Sequence, residues 1–471
     1  MRKLLLILLF LLLFPVFNFA QDALFPSMIS NFRFNFINPG GRATGMGGAF
    51  IAVANDATAS ETNPAGLIFI PRPMVFTEYR RIKYTFDRLY SADEEKIYNK
   101  HFTKWVNSPT FLSFVYPKNS WAIAIYRQEL ANFKIFLNNE DMILPNTNHS
   151  AWLLNRKKIY LDFHLTNYGF SFAKKFHETF AVGFSVRAAH LDFNSIEIVN
   201  LDPNREVPPG FPRISYLLRT TTPDNIGIMT EINDEDWKLS YVVGCQWRPI
   251  DEISIGLVYR YGAKHHIRTT FFENLEMRKE GNSVSIKKDY NDFEINVPDR
   301  LGFGFTCLPN DKWTVSFDVV RMYYSQLNKQ FLEIMPKDVR KFFGWKDNNE
   351  YRFGVEYTIP IGIYNSLSLR LGYYASPDPS IHYLSEEYNK INAEKLIEEL
   401  HSLPPDSPLL PSILAQLGVY FDAPYVNPEL GYDHHATFGV GLVAFKNWQI
   451  DFAGDLATRK DLFVFSCMYN F

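Results

Sequence analysis

Trp237 to Arg248 reads WKLSYVVGCQWR, and it alternates along its whole length. Trp237, Leu239, Tyr241, Val243, Cys245 and Trp247 share one face of an extended chain. Lys238, Ser240, Gly244, Gln246 and Arg248 occupy most of the other. Successive side chains of a strand point to opposite sides, so this stretch presents one apolar, aromatic-ended surface and one polar or small one. The pattern recurs. Trp313, Val315, Phe317 and Val319 oppose Lys312, Thr314, Ser316 and Asp318; Leu301, Phe303, Phe305 and Cys307 oppose Gly302, Gly304 and Thr306. Trp448, Ile450, Phe452 and Leu456 oppose Gln449, Asp451 and Asp455.

A soluble sandwich also alternates, so two further features decide. The strands look long, often ten residues or more, where soluble strands average about five or six. Connections also alternate between tight and long. Tight turns fall at 117–119, 176–178, 248–251, 309–311, 361–365 and 446–447. Long connections fall near 87–107, 137–156, 199–236, 273–290, 327–348 and 377–432, the last being the largest. Short turns on one side and long loops on the other are what bacterial outer-membrane barrels show. The expectation is an all-β transmembrane barrel of about fourteen antiparallel strands, an even number as single-chain barrels have.

Composition agrees. The 471 residues carry a net charge of -3 and 16% aromatics, with 42 Phe, 26 Tyr and 8 Trp. That load suits aromatic girdles at two membrane interfaces. A mean hydropathy of -0.16 is too low for a chain of many apolar helical spans. Near-neutral charge argues against nucleic acid as a partner. Cys245, Cys307 and Cys467 lie far apart, form no CxxC pair, and read as small apolar strand residues.

Arg2-Lys3 followed by Leu4–Phe14, with Pro15 ending the apolar run, reads as a signal peptide over 1–20. The run is shorter than the roughly 20 residues of a spanning helix. Next comes the small-residue stretch Gly40–Gly66, GGRATGMGGAFIAVANDATASETNPAG, ahead of the strands. Asn63-Pro64 fits an N-cap followed by proline in the first helical turn. The last segment, Leu462–Phe471, sets Phe463, Phe465, Cys467, Tyr469 and Phe471 on one face, like the terminal signal read by outer-membrane assembly machinery.

RATGMGG, AFIAVANDA and NPAGL resemble the amino-terminal hatch signature of FadL/TodX-type outer-membrane transporters. Asn296-Val297-Pro298-Asp299-Arg300 with the LGFGFTCLPNDKWTVSFDVV that follows is similar to that family's "LPD" hairpin. YRFGVEYTIP, LSLRLGYYASPDP and HATFGVGLVAFKNWQIDFAGDLA resemble its last hairpins. The likeness covers both ends and the middle, and is weakest over 79–241. It implies a hatch over residues 21–73 lodged in the lumen of a barrel over 74–471. It further implies passive uptake of hydrophobic compounds, long-chain fatty acids or aromatic hydrocarbons. Ligand is then captured at the outer loops, passes the hatch and leaves sideways through a gap in the wall. The partners implied are outer-membrane lipid and a hydrophobic small molecule. The RATGMGGAF opening lies nearer TodX-like and PorV-like branches, and the alternative is a barrel that presents secreted proteins for a secretion or attachment system.

On this reading the candidate ligand-binding positions in the hatch are Asn63, Pro64 and Ala65, with Phe50 and Phe69 as pocket lining. Structural plugging is the competing role for the same residues. In the longest loop, Tyr388, Ile391, Leu396, Ile397 and Leu400 form one helical apolar stripe. Leu409, Leu410, Ile413, Leu414 and Leu417 form another, so Ile413, Leu414 and Leu417 are candidates for a capture groove; packing of the stripes on each other is the alternative. No phosphate-binding glycine motif and no GxSxG elbow occurs, so no enzyme and no cofactor is implied. His265-His266 and His434-His435 are adjacent pairs that point to opposite faces of a strand, so no metal site is expected.

Overall fold

The computed structural model describes residues 34, 36–93, 96–139, 155–201, 226–273, 287–327, 343–377, 382–383, 431–458 and 460–471. Its main sheet is antiparallel and closed. The first five strands are β1 (Met74–Asp93), β2 (Lys96–Pro117), β3 (Trp121–Asn139), β4 (Asn155–His177) and β5 (Phe180–Leu201). Then come β6 (Ile226–Ile250), β7 (Ile253–Tyr261), β8 (Lys264–Glu273), β9 (Lys287–Asn296), β10 (Arg300–Asn310) and β11 (Trp313–Met322). A two-residue β12 (Phe343–Gly344) pairs with β15 (His382–Tyr383) apart from the main sheet. The chain returns through β13 (Asn348–Ile361), β14 (Asn365–Pro377), β16 (Tyr432–Ala444), β17 (Trp448–Leu456) and β18 (Lys460–Asn470).

β18 pairs with β1 from Met74↔Asn470 to Tyr84↔Lys460, which closes the wall. Closure removes the unpaired edges that lipid cannot solvate. β8 and β9 form a hairpin that prolongs β7 and β10 beyond kinks at Gly262–Ala263 and Val297–Asp299. β6 pairs with both β7 and β8, so these two share one place in the wall. The wall therefore has fourteen strand positions.

The alternation read from the sequence is the inside and outside of this wall. Trp237, Leu239, Tyr241, Val243 and Trp247 face outward and are exposed, while Ser240, Gly244 and Gln246 are buried. Phe176, Trp247, Trp313 and Trp448 ring the end with the tight turns; Tyr79, Tyr168, Trp237, Tyr351 and Tyr373 ring the other. His265 is buried and His266 exposed, and His435 buried and His434 exposed, as opposite faces require. The sequence reading differs in the extent of two connections: 226–236, read as part of a long connection, belongs to β6. The stretch 87–107, read as a long connection, consists of the outer parts of β1 and β2, which pair as far as Asp93↔Lys96. These parts carry charged residues at both parities (Asp87, Arg88, Lys100, Lys104), so they lack the alternation that marks a lipid-facing strand.

Two interruptions break the ladder. β2 and β3 pair only from Phe111↔Gln128 to Pro117↔Ala122, with no main-chain pairing among the described residues beyond that toward the loop end. At that point β3 carries one extra residue, Leu130, opposite β4, and β2 carries one, Thr110, opposite β1. Such bulges bend a strand and end its pairing. On the other side, β6 pairs with β7 from Tyr241 downward and with β8 over Met229–Ile232, leaving 233–240 without a main-chain partner there. The Asp236 and Asp234 carboxylates fill in, accepting from the N–H groups of His266 and Arg268 at 2.8 Å each. Between the interruptions, the outer parts of β3, β4, β5 and β6 stay paired to one another and form a four-stranded panel.

Candidate functional site

Residues 36–73 run along the inner faces of the strands in short helical pieces, Gly41–Gly45, Ala59–Thr62 and the 3₁₀ turn Pro64–Phe69. Their main-chain groups would be orphans in a lumen, and inward polar side chains of the wall satisfy them. Asp318 accepts from the Phe50 and Ile51 N–H groups at 2.7 and 2.9 Å. Arg352 donates to the carbonyls of Gly48 and Phe36, Arg80 to that of Asn38, and Ser171 to that of Ser60. Gln246 and Ser254 both donate to the Ala52 carbonyl, at 2.6 and 2.8 Å.

Buried charges join the same contact. Glu61, 2% exposed, accepts from Tyr126 at 2.8 Å and Arg187 at 3.1 Å, with Arg260 at 3.8 Å. Arg42 pairs with Glu356 at 2.7 Å, and Glu356 in turn holds Arg370, which reaches Asp451 at 2.7 Å. Burial pushes the Asp56 carboxyl above its ordinary value, against the pull of Arg42 at 3.9 Å and of the Thr58 amide and hydroxyl.

Asn63, Pro64 and Ala65 lie at the centre of this contact. The Asn63 amide donates to the Ile51 and Cys245 carbonyls at 3.0 and 3.1 Å, and its oxygen caps the Ala65 N–H at 3.3 Å. Pro64 and Ala65 press on the wall at Gly183, where a Cβ would come within 2.2 Å of the Pro64 carbonyl carbon. Asn63→Ala is expected to cost about 1–2 kcal/mol, the range of a lost cap, seen as a lower urea midpoint with no change in barrel secondary structure. Phe50 is fully buried with Ala43, Met46 and Val53, beneath the Arg42 guanidinium at 5.4 Å. Phe69 is half-buried beside Arg248, whose guanidinium lies 3.5 Å from its ring at the tight-turn end. Ile413, Leu414 and Leu417 lie outside the described residues.

The panel carries a different inner surface. Above the polar contact, Leu130, Phe133, Leu161, Phe163, Leu165, Leu191, Phe193 and Ile232 form one apolar cluster. Phe163 stands between Phe133 and Phe193, with ring centroids 6.2 and 5.3 Å away. The cluster runs to Leu130, at the β2–β3 interruption, and takes in Ile82 and Val106 on β1 and β2. There the ladder is replaced by side chains: Ser108 donates to Glu129, and Arg127 donates to the Pro109 carbonyl at 2.7 Å. Pro109 has no N–H to offer a neighbouring strand. Neither the interruption nor the panel surface was among the candidates from sequence, although the apolar alternation of Leu161, Phe163 and Leu165 on β4 was readable.

A family model described as outer membrane protein transport protein (OMPP1/FadL/TodX) matches residues 29–380. The Ralstonia pickettii toluene transporter TbuX is similar in structure, with 15% identity, a TM-score of 0.56, and 93% of this chain and 99% of that one covered. The Pseudomonas putida toluene transporter TodX gives 13% identity, a TM-score of 0.57 and coverage of 92% and 98%. A Pseudomonas aeruginosa FadL homologue gives 12%, 0.57, and 93% and 99%. At these identities the likeness speaks for the fold alone. No curated protein matches the chain.

Proposed function

Because the chain belongs to the OmpP1/FadL/TodX family of outer-membrane transport proteins, we propose that it is a passive channel for hydrophobic compounds, long-chain fatty acids or aromatic hydrocarbons. In this reading residues 21–73 are the hatch and residues 74–471 the barrel. The observation that carries it is the apolar panel surface that reaches the β2–β3 interruption. Porin lumens are polar because they hold water. A solute that must shed water gains about 25 cal/mol per Å² of apolar surface buried, so a route lined by Phe133, Phe163 and Phe193 favours it over ions and sugars.

The hatch acts here as a fixed floor. Asp318, Arg352, Glu61 and Gln246 bond it to the wall on several sides, whereas above Phe111 the main-chain ladder between β2 and β3 gives way to side-chain bonds, Ser108 to Glu129 and Arg127 to the Pro109 carbonyl. A ligand descending from the loop end is thus turned sideways into the membrane. Asn63, Pro64 and Ala65 serve passage by fixing that floor, with Phe50 inside it and Phe69 below. Capture at Ile413, Leu414 and Leu417 completes the path at the loop end. The secreted-protein reading rests on the outer loops, most of which lie outside the described residues.

Deleting Leu130 removes the extra residue and brings β3 into continuous register with β4. The expected result is a fall in cellular uptake of labelled oleate and toluene of about tenfold, with the barrel still resistant to unheated SDS. Undiminished uptake by a folded deletion variant would rule out the sideways exit.

A further inference from the structure

We infer that the outward face of β1, β2 and β3, just past the aromatic ring at the loop end, binds the phosphate groups of the outer leaflet's glycolipid, lipopolysaccharide. The site needs only the barrel and its place in the membrane, whatever the lumen carries. Tyr79 belongs to the aromatic ring, and Arg81 and Lys83 follow it on the same outward row of β1. Residues two apart on a strand lie about 7 Å apart along it, so both cations stand within about 14 Å of Tyr79, in the headgroup layer. β2 sets Asn107 opposite Arg81 and Trp105 opposite Lys83, and β3 contributes Arg127 from across the interruption.

Arg81 is exposed, and its guanidinium carbon lies 4.3 Å from the centre of the Trp105 ring. A guanidinium stacked through its face keeps its N–H edge for an anion. Among the described residues Arg81 has no carboxylate partner. Lys83 pairs with Asp461 at 3.1 Å and is still 32% exposed. Arg127 donates to the Pro109 carbonyl through one nitrogen, and its other terminal nitrogen lies 3.8 Å from Glu129, beyond hydrogen-bond distance. Three cations thus meet two carboxylates, and one of these, Glu129, is buried.

The neighbouring panel has the opposite sign. Its outward rows beyond Tyr168 and Trp237 carry Asp162, Asp192 and Glu235, held by Lys134, Asn194 and His190. An anion in the outer leaflet is therefore drawn to β1–β3 and away from β4–β6. On the membrane side of the cations the wall is apolar, with Leu112, Phe114 and Phe465 each at least 40% exposed. Phosphate on the arginines leaves acyl chains against that surface. Arg81 and Arg127 sit on strands separated by β2, which suits a head with two phosphates better than a phospholipid with one.

The test titrates the purified, delipidated full-length protein in non-ionic detergent, read by native mass spectrometry. The probes are bisphosphorylated lipid A, the same lipid A after phosphatase treatment, and phosphatidylglycerol. Bisphosphorylated lipid A is expected to bind about tenfold more tightly than either of the others. Arg81→Gln combined with Arg127→Gln is expected to weaken it about thirtyfold, as the loss of two interfacial cations implies, whereas Lys at both positions keeps much of the binding. Arg268→Gln combined with Arg321→Gln removes two exposed cations elsewhere at the loop end and is expected to change nothing. An equal loss there would show diffuse attraction and overturn the site. Equal binding of dephosphorylated lipid A by the wild-type protein would overturn phosphate recognition. Equal binding of phosphatidylglycerol would overturn the glycolipid in favour of any anionic lipid, and full displacement by inorganic phosphate would overturn it in favour of a free-phosphate site. The wild-type comparisons need no variant to fold, and SDS resistance reports the folding of the variants.

Discussion

Glu61→Ala is expected to lower the stability of the protein by about 3–5 kcal/mol, the cost of breaking a buried ion pair from one side. Glu61 is 2% exposed, and it is the carboxylate shared by Arg187 and Arg260, each 3% exposed. Without it, Arg187 retains the Ser240 and Tyr261 oxygens and Arg260 the Thr62 carbonyl, but neither retains an anion. The Tyr126 hydroxyl also loses its acceptor and keeps only Ser185. Urea unfolding followed by tryptophan fluorescence gives the number. Glu61→Gln separates charge from shape: it keeps one oxygen acceptor in place, turns the other into an NH2 donor, and is expected to recover only part of the loss. A change for Glu61→Ala within about 1 kcal/mol, as for an exposed pair, would mean that water reaches these arginines and that residues 36–73 are held more loosely than their contacts indicate.

Gly183→Leu carries the second large effect. The wall at Gly183 touches main chain, with a built Cβ 2.2 Å from the Pro64 carbonyl carbon and 2.3 Å from the Ala65 nitrogen. A flexible side chain can step aside from such a clash, but the backbone of the Pro64–Phe69 turn is tied by Asn63 and cannot do so locally. The expected loss is about 3 kcal/mol, the upper end for overpacking, because the turn must leave the wall. Since the fourteen-stranded wall closes through its own ladders, the barrel is expected to survive in SDS while planar-bilayer recordings show a new ion conductance. A variant that stays electrically silent and fully stable would show that residues 36–73 have room to shift as one piece.

The wall was legible because each lipid-facing strand repeats one simple rule. Trp313, Phe317 and the Thr314, Ser316, Asp318 row announce inside and outside by themselves, and both parities appear in the structure as read. What that rule leaves hidden is the purpose of each inward polar residue. Asp318 reads as one more polar alternate, yet its carboxylate is held by amides 267 and 268 residues away in the chain. Arg187 and Glu61 are 126 residues apart, and nothing local to either names the other. The Leu130 bulge is invisible for another reason: Leu130-Ala131 is apolar at two consecutive positions, so an added residue leaves no break in the pattern. Asn63 and Pro64 were readable as a capped turn because that chemistry lies in neighbouring residues. Their contact with Gly183 and Gly244 was not, because it joins distant segments.

The close seating of residues 63–65 against Gly183 and Gly244 also bears on the order of manufacture. Main chain lies against main chain there, and inward side chains from strands around the circumference grip the stretch 36–73 to which it belongs. Residues 36–73 are therefore expected to be in place before β18 pairs with β1, so that closure seals the barrel around them.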